Sequence, residues 1–343
     1  MFYSAVFGIV SAMVGAGFAS GREIMHFFSR YGPLSWGFAI LAAVTMGGMM
    51  KMVMDDAAET GDLLPQGNHQ SAGKALLLLL FAASGGAMAA AAGELAALTV
   101  PVVHARCMGT LLTLCAGVLA ARNPVHALGV IGKILVPLMI AAFFFCFRLP
   151  AEKSGSAASS SPGLFVALVQ LLGYCGLNVM LSAGVLCRAG LRRESRERKR
   201  IAVCAAAVIG ALLLLGNAAL LPHTCELENA PLPFVLLLKA YGKTGFYLSA
   251  LVLYLAVFST LAAILCGMRN MLPRNLRTPG LWAGLLCAVS SLLGFEEIVG
   301  LAYPVLGWLG ILLIFGKKFW KPGTIRRVAS SIVRTPNKEE DHP

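Results

Sequence analysis

Charge is scarce in this chain. Asp, Glu, Lys and Arg make up 13% of its 343 residues, where soluble domains carry about a quarter. With 58% hydrophobic residues, the apolar content exceeds what a soluble core needs, which excludes an ordinary water-soluble domain. Acidic residues are scarcer still, 16 against 28 basic. In a soluble protein that imbalance would hint at nucleic acid. In so apolar a chain it reads as the basic excess of cytoplasmic loops, and no nucleic-acid partner is expected. Nine cysteines form no CxxC pair and no cluster with histidine, so neither a disulfide framework nor a metal site is expected. HExxH, GxSxG and Walker sequences are absent. Hydrolysis and ATP-driven transport therefore find no support, and no catalytic residues are assigned. The acidic group Asp55, Asp56, Glu59 and Asp62 has no matching second cluster, which disfavours an intramembrane enzyme of diphosphate substrates. The N-terminus has no basic leader region and no cleavage site, so it opens a first span and not a signal peptide.

What the chain has is long hydrophobic runs. Crossing the hydrocarbon core takes about 20 apolar residues. Spans are expected near 2–28, 33–53, 73–98, 105–121, 124–147, 163–187, 201–221, 244–268, 280–295 and 298–316, the ninth being short. No span has the continuous polar stripe of a channel. The segment Phe234-Val235-Leu236-Leu237-Leu238 is too short to cross and reads as a re-entrant or interfacial helix over the outer mouth. Basic residues crowd three connections: Arg188, Arg192, Arg193, Arg196, Arg198, Lys199 and Arg200; then Arg269, Arg274 and Arg277; then the tail from Lys317. Ten spans put all three on one side, with both termini cytoplasmic.

The first span is built to break. Gly15, Gly17 and Gly21 fall within seven residues, followed by Arg22-Glu23. Each glycine weakens a helix by roughly 1 kcal/mol relative to alanine. Non-helical backbone at membrane depth is tolerated only against protein or a wet cavity. A second glycine-marked stretch, Gly173-Tyr174-Cys175-Gly176-Leu177-Asn178, lies at the corresponding place in the sixth span. The two sets of five spans then have opposite orientation. Interrupted segments at matched positions point to a transporter site, although glycines also serve close helix packing. The expected architecture is an all-α integral membrane protein of ten transmembrane helices in a 5+5 inverted repeat, with helices 1 and 6 broken. Residues 1–147 form the first repeat, 163–316 the second, and 317–343 a polar cytoplasmic tail.

The stretch Gly15-Ala16-Gly17-Phe18-Ala19-Ser20-Gly21-Arg22-Glu23-Ile24, with Phe27-Phe28 following, resembles the first helix of the YkvI-type bacterial membrane transporters. That family is similar to the amino acid–polyamine–organocation superfamily, which shares the LeuT-like 5+5 fold. The resemblance implies a secondary transporter of the bacterial inner membrane, whose partners are a small organic solute and the lipid bilayer. It implies no organic cofactor, only a coupling ion, H+ or Na+.

The candidate solute residues are Gly15, Ala16, Gly17, Phe18, Ala19, Ser20 and Gly21 in the first break, with Tyr174, Gly176 and Asn178 in span six. Free amides at the start of a half-helix favour a carboxylate. Ser20 offers a hydroxyl, and Phe18 is either a lid or a lipid-facing ring. Arg22 and Glu23 either pair with each other or gate the pathway. Asn178 offers donor and acceptor, or an ordinary hydrogen bond between helices. Lys133 is an ionisable group inside span five, a functional residue by default unless its stem reaches the interface. Some proton-coupled members of the superfamily carry a fifth-helix lysine, so the resemblance implies a proton role for Lys133. It equally implies that Ser259 and Thr260 stand where sodium-coupled relatives offer hydroxyl ligands. The two sites compete, and the sequence leans to the proton. Glu94 is expected either inside the membrane or at the outer interface, with Arg106 across the short turn as its alternative partner, and Asn217 as a hydrogen-bonding residue between helices. The rival reading is a transporter-fold receptor that binds a ligand without moving it.

Overall fold

The computed structural model describes residues 2–60, 70–100, 102–150, 163–191, 193–227, 230–273, 276–293 and 295–319. The expected tail beyond residue 319 lies outside them. The regular elements are helices: α1 Phe2–Met13, α2 Ala16–Ser20, α3 Arg22–Phe27, α4 Ser35–Thr60, α5 Gln70–Thr99, α6 Ala105–Ala120, α7 Pro124–Phe147, α8 Leu164–Leu181, α9 Ala183–Gly190, α10 Ser195–Leu220, α11 Thr224–Leu227, α12 Pro233–Leu238, α13 Gly242–Met271, α14 Pro279–Ser290 and α15 Phe295–Phe319. Pro124, Pro233 and Pro279 stand at helix starts, where the missing N–H costs nothing and the ring presets φ.

Six helical stretches among the described residues are long and apolar enough to cross a bilayer: 29–59, 74–99, 124–147, 164–181, 195–227 and 233–271. The side-chain distribution agrees. Large apolar residues such as Leu79, Ile134, Phe144, Phe147, Leu281, Val289 and Leu312 point outward. A contiguous apolar exterior of this kind suits lipid and not water. The chain is a multi-pass membrane protein.

The interior is held by small residues. Lipid removes most of the hydrophobic drive between helices, so close van der Waals approach has to replace it. α1 lies against α7 through Gly8, Gly129 and Gly132. A β-carbon on Gly129 would fall 2.6 Å from the Ser4 carbonyl oxygen, and one on Gly132 would overlap the Phe7 carbonyl. α8 meets α15 in the same way, through Gly176 against Gly307 and Gly310. α9 crosses α13 at Gly184 and Gly267, and α4 crosses α10 where Gly47 faces Ala206 and Gly210 faces Ala43.

Several polar groups in the interior are paired. Asn217 on α10 is fully buried. Its Oδ1 accepts from the Ser29 hydroxyl at 2.9 Å, and its Nδ2 donates to Ser35 Oγ at 2.8 Å. Ser35 in turn donates to the Gly32 carbonyl. This chain fixes the turn between α3 and α4 to α10, the role expected of Asn217. Glu94 and Arg106 form the expected ion pair across the α5–α6 turn. At the opposite end, Asp55 on α4 accepts from Arg198 Nε at 2.6 Å and Lys51 Nζ at 2.5 Å. Arg188 donates to Asn270 at 3.1 Å. The basic connections after α9 and α13 therefore share one end of the bundle with Asp55.

Two outcomes check this packing. Gly132→Val should lower the thermal midpoint of the detergent-purified protein by several degrees, because overpacking costs about 1–3 kcal/mol. Gly37→Ala, where a β-carbon meets nothing within 4 Å, should leave it unchanged. Asn217→Ala leaves the Ser29 hydroxyl without its acceptor, and denaturant titration should register a loss of about 1–3 kcal/mol. An unaltered midpoint in Asn217→Ala would mean that the network is not structural.

Candidate functional site

The first span breaks where expected. α1 stops at Met13, and Gly15 is extended, with φ −86° and ψ −175°. Residues 16–20 then form one turn of their own, closed by Gly21 in the left-handed region at φ +86°, whose N–H donates to the Phe18 carbonyl at 3.1 Å. The predicted unwound stretch is thus two interruptions around a short helix. Its sharpest points are Gly15 and Gly21. Ala16, Phe18, Ala19 and Ser20 are buried. Phe18 faces protein, which removes the lipid-facing alternative. Ser20 Oγ donates to its own turn at Gly17 O, 3.1 Å away.

A helix that ends inside a protein leaves its last carbonyls without intrahelical donors. α13 supplies them. Ser259 Oγ donates to Ser11 O at 2.6 Å, and Thr260 Oγ1 approaches Ala12 O at 3.4 Å. A β-carbon on Gly15 would lie 3.5 Å from Thr260 Oγ1. Ser259 also back-bonds to Ala256 O at 3.0 Å. Two hydroxyls and two carbonyls from α1 and α13 therefore converge beside the break.

The second stretch behaves differently. α8 runs without interruption through residues 173–178, and the division from α9 falls at Ser182, where φ −87° and ψ −2° stay right-handed. Helix 6 is kinked and not unwound, and the kink lies C-terminal to the expected place. The reason is packing: Gly176 abuts the Gly307 carbonyl, and Gly307 abuts the Gly173 carbonyl 2.5 Å from its would-be β-carbon. These glycines bring α8 and α15 together, so Gly176 is a contact residue between helices and not hinge backbone.

Lys133 also departs from expectation. It lies on the exposed face of α7. Gly129 and Gly132 take the contact with α1, and one step of about 100° turns the next side chain away from that seam. Lys133 is not brought to the first break.

What the sequence left undecided is Glu23. It does not pair with Arg22, which points outward. Its side chain folds back across Gly17, where a β-carbon would overlap Oε1. Its Oε2 is sealed from solvent and has no hydrogen-bond partner. Tyr174 on α8 is a neighbour of this carboxyl. Tyr174 packs on Phe27, with ring centroids 4.7 Å apart, and on Phe28 at 5.6 Å. Asn178 Nδ2 donates to Tyr174 O at 3.0 Å, an intrahelical bond and not one between helices. Gly17 and Tyr174, with Asn178 bonded to Tyr174, are therefore brought together beside a carboxylate that the sequence offered, with Arg22, as a charge pair or a gate. The signal for it was the glycine six residues before it, which leaves room for the side chain to fold back.

At one end of the site, α12 closes over Gly21. A β-carbon on Gly21 would fall 2.7 Å from Phe234 Cδ2, and Phe234 stacks on Phe143 at 4.7 Å. This is the short apolar helix expected at Phe234.

No protein-family model matches the chain. It is similar to the uncharacterized membrane protein YkvI of Bacillus subtilis (strain 168), 22% identical over 334 residues that cover 90% of this chain and 92% of that protein. A match along almost the whole of both chains, joined to the first-span residues described above, supports membership of the YkvI-type membrane proteins.

Proposed function

We propose that the protein is a secondary active transporter of a small organic solute, an amino acid or related compound, working by alternating access and driven by an ion. The observation that carries this reading is the interrupted first span. Its half-helices meet at a buried cluster of polar and aromatic groups shared with α8. Interrupted membrane helices of this kind serve solute and ion sites near the midplane.

The ten-span reading has support in number. The four shorter apolar helices, 2–13, 105–120, 279–290 and 303–315, join the six long ones. The inverted repeat has support in pairing. The first span packs on the fifth through glycines, and the sixth packs on the tenth through glycines. In this reading the end bearing Asp55, Arg188 and Arg198 faces the cytoplasm, together with both termini.

The coupling ion falls to the α1–α13 junction. Carbonyl oxygens at a half-helix C-terminus, joined by hydroxyls, are the donor set that coordinates Na+ in broken-helix transporters. The exposed position of Lys133 weakens the proton alternative, so the reading moves toward sodium. The near-continuity of α8 through Ser182 favours a second reading, a transporter-fold receptor that binds its solute without translocation. A ligand moves such an equilibrium only by its differential affinity for the two states.

Proteoliposomes separate these readings. Amino acids, amines and small acids are offered under an imposed sodium or proton gradient. Uptake of at least one solute should require sodium. Ser259→Ala with Thr260→Ala should reduce that dependence by about tenfold, the equivalent of 1.4 kcal/mol, and Lys133→Ala should not alter it. Uptake indifferent to sodium and lost in Lys133→Ala would return the coupling to the proton. Saturable binding without uptake would favour the receptor.

A further inference from the structure

Lys133 stands on an outward surface of the bundle, and no group of the protein answers it. α7 turns a continuous stripe outward: His126, Val130, Lys133, Pro137, Ile140 and Phe144 are all exposed. They recur at alternating steps of four and three residues, which is one face of a helix. Beyond Lys133 the stripe is apolar. Before it stand His126 and, just ahead of the helix, the exposed Arg122. Among the described residues, Arg122, His126 and Lys133 make no ion pair and no side-chain hydrogen bond. Lys133 lies about 14 Å along α7 from Pro124, at 1.5 Å per residue, within reach of a hydrocarbon core about 30 Å thick. Helical side chains lean toward the N-terminus, so its amino group leans back to the end that carries His126 and Arg122. That end is the basic one. Arg269 donates to the Ala121 carbonyl at 3.3 Å, and the next residue, Asn270, accepts from Arg188 at 3.1 Å.

We propose that this face of α7 binds an anionic phospholipid, with Arg122, His126 and Lys133 around its phosphate and Val130, Ile134 and Pro137 along its acyl chains. Charge and depth together select that occupant. A basic side chain set below the interface buries its stem and turns its head to the headgroup level. Basic groups at that level on the cytoplasmic side attract anionic lipids. A soluble anion has the charge but nothing to lay against Val130 and Ile134, both outward-facing. A zwitterionic lipid has the chains but brings a cation of its own to a basic cluster. In the orientation proposed above the lipid belongs to the cytoplasmic leaflet. The site itself depends neither on that orientation nor on transport, and it gives Lys133 a role that the first break does not.

The experiment titrates the full-length protein in detergent with phosphatidylglycerol, phosphatidylcholine or soluble glycerol phosphate. It reads the thermal midpoint and the adducts that survive in native mass spectrometry. Phosphatidylglycerol should be retained and should raise the midpoint, and the other two should not. Lys133→Met should raise the half-saturating concentration of phosphatidylglycerol about fivefold. Joined to Arg122→Gln and His126→Gln, it should raise it more than about tenfold. Arg196→Gln with Lys199→Gln, exposed basic residues at the start of α10, should leave the titration unchanged. Equal stabilisation by phosphatidylcholine or by glycerol phosphate overturns the proposal. So does a triple variant that binds as the parent does, or an equal loss in the Arg196 and Lys199 variant, which would make binding a matter of net charge. A changed oligomeric state in Lys133→Met with lipid binding intact overturns it too, and makes this face a contact between copies. Should the triple variant not purify folded, Lys133→Met decides, because it places an apolar residue on an apolar outward face. Uptake is no part of the readout, so the solute reading stands or falls separately.

Discussion

A helix that stops inside a membrane protein has carbonyls that neither water nor its own next turn can satisfy, and the centre of this structure is organised by that constraint. The end of α1 is stable there because α13 aims two hydroxyls at it, from Ser259 and Thr260. Those bonds need α13 close to α1. That closeness depends in turn on the tight seating of α1 on α7 through Gly8, Gly129 and Gly132. Once α1 ends there, residues 16–27 are free to restart at another angle and to carry Phe18 and Glu23 inward. An unsatisfied buried carbonyl would cost about 1–3 kcal/mol, so the break and its covering helix stand or fall together.

The same logic explains the inverted surface. Many large apolar side chains face out, and small residues mark the helix crossings, because lipid solvates leucine and phenylalanine while close backbone approach supplies the packing energy that a water-driven core would otherwise give. Polar networks close at two places in the bundle. Asn217 satisfies two serines at once, and Asp55 takes two cations at the basic end.

Much of this was legible in the sequence. The hydrophobic runs located the long helices to within a few residues, since span length is set by bilayer thickness. The cluster of glycines after Val14 located the first interruption, since the left-handed corner at Gly21 favours glycine. Ser259 and Thr260 could be placed opposite it by resemblance, and their contacts with α1 agree. The errors share a cause. Glycine signals both flexibility and close approach, and a sequence does not say which. At Gly173 and Gly176 it meant approach, to a partner more than 130 residues away, so the expected second break is an intact helix. Lys133 misled because one residue of helical rotation separates a bundle-facing position from an outward one. Glu23 was undervalued because its neighbour Arg22 offered an obvious partner, while the geometry sends the two side chains in different directions.

Gly21 is held by two unrelated demands. Its backbone is left-handed, and Phe234 of the short α12 occupies the place a side chain would need. Asparagine, which tolerates the first demand, fails the second. Shrinking Phe234 relieves the second and leaves the first. No single exchange opens a path away from glycine here. For sequence variation, this corner is a dead end reached from both sides, and α12, a helix of six residues, inherits that restriction although it makes no covalent or polar claim on the first span.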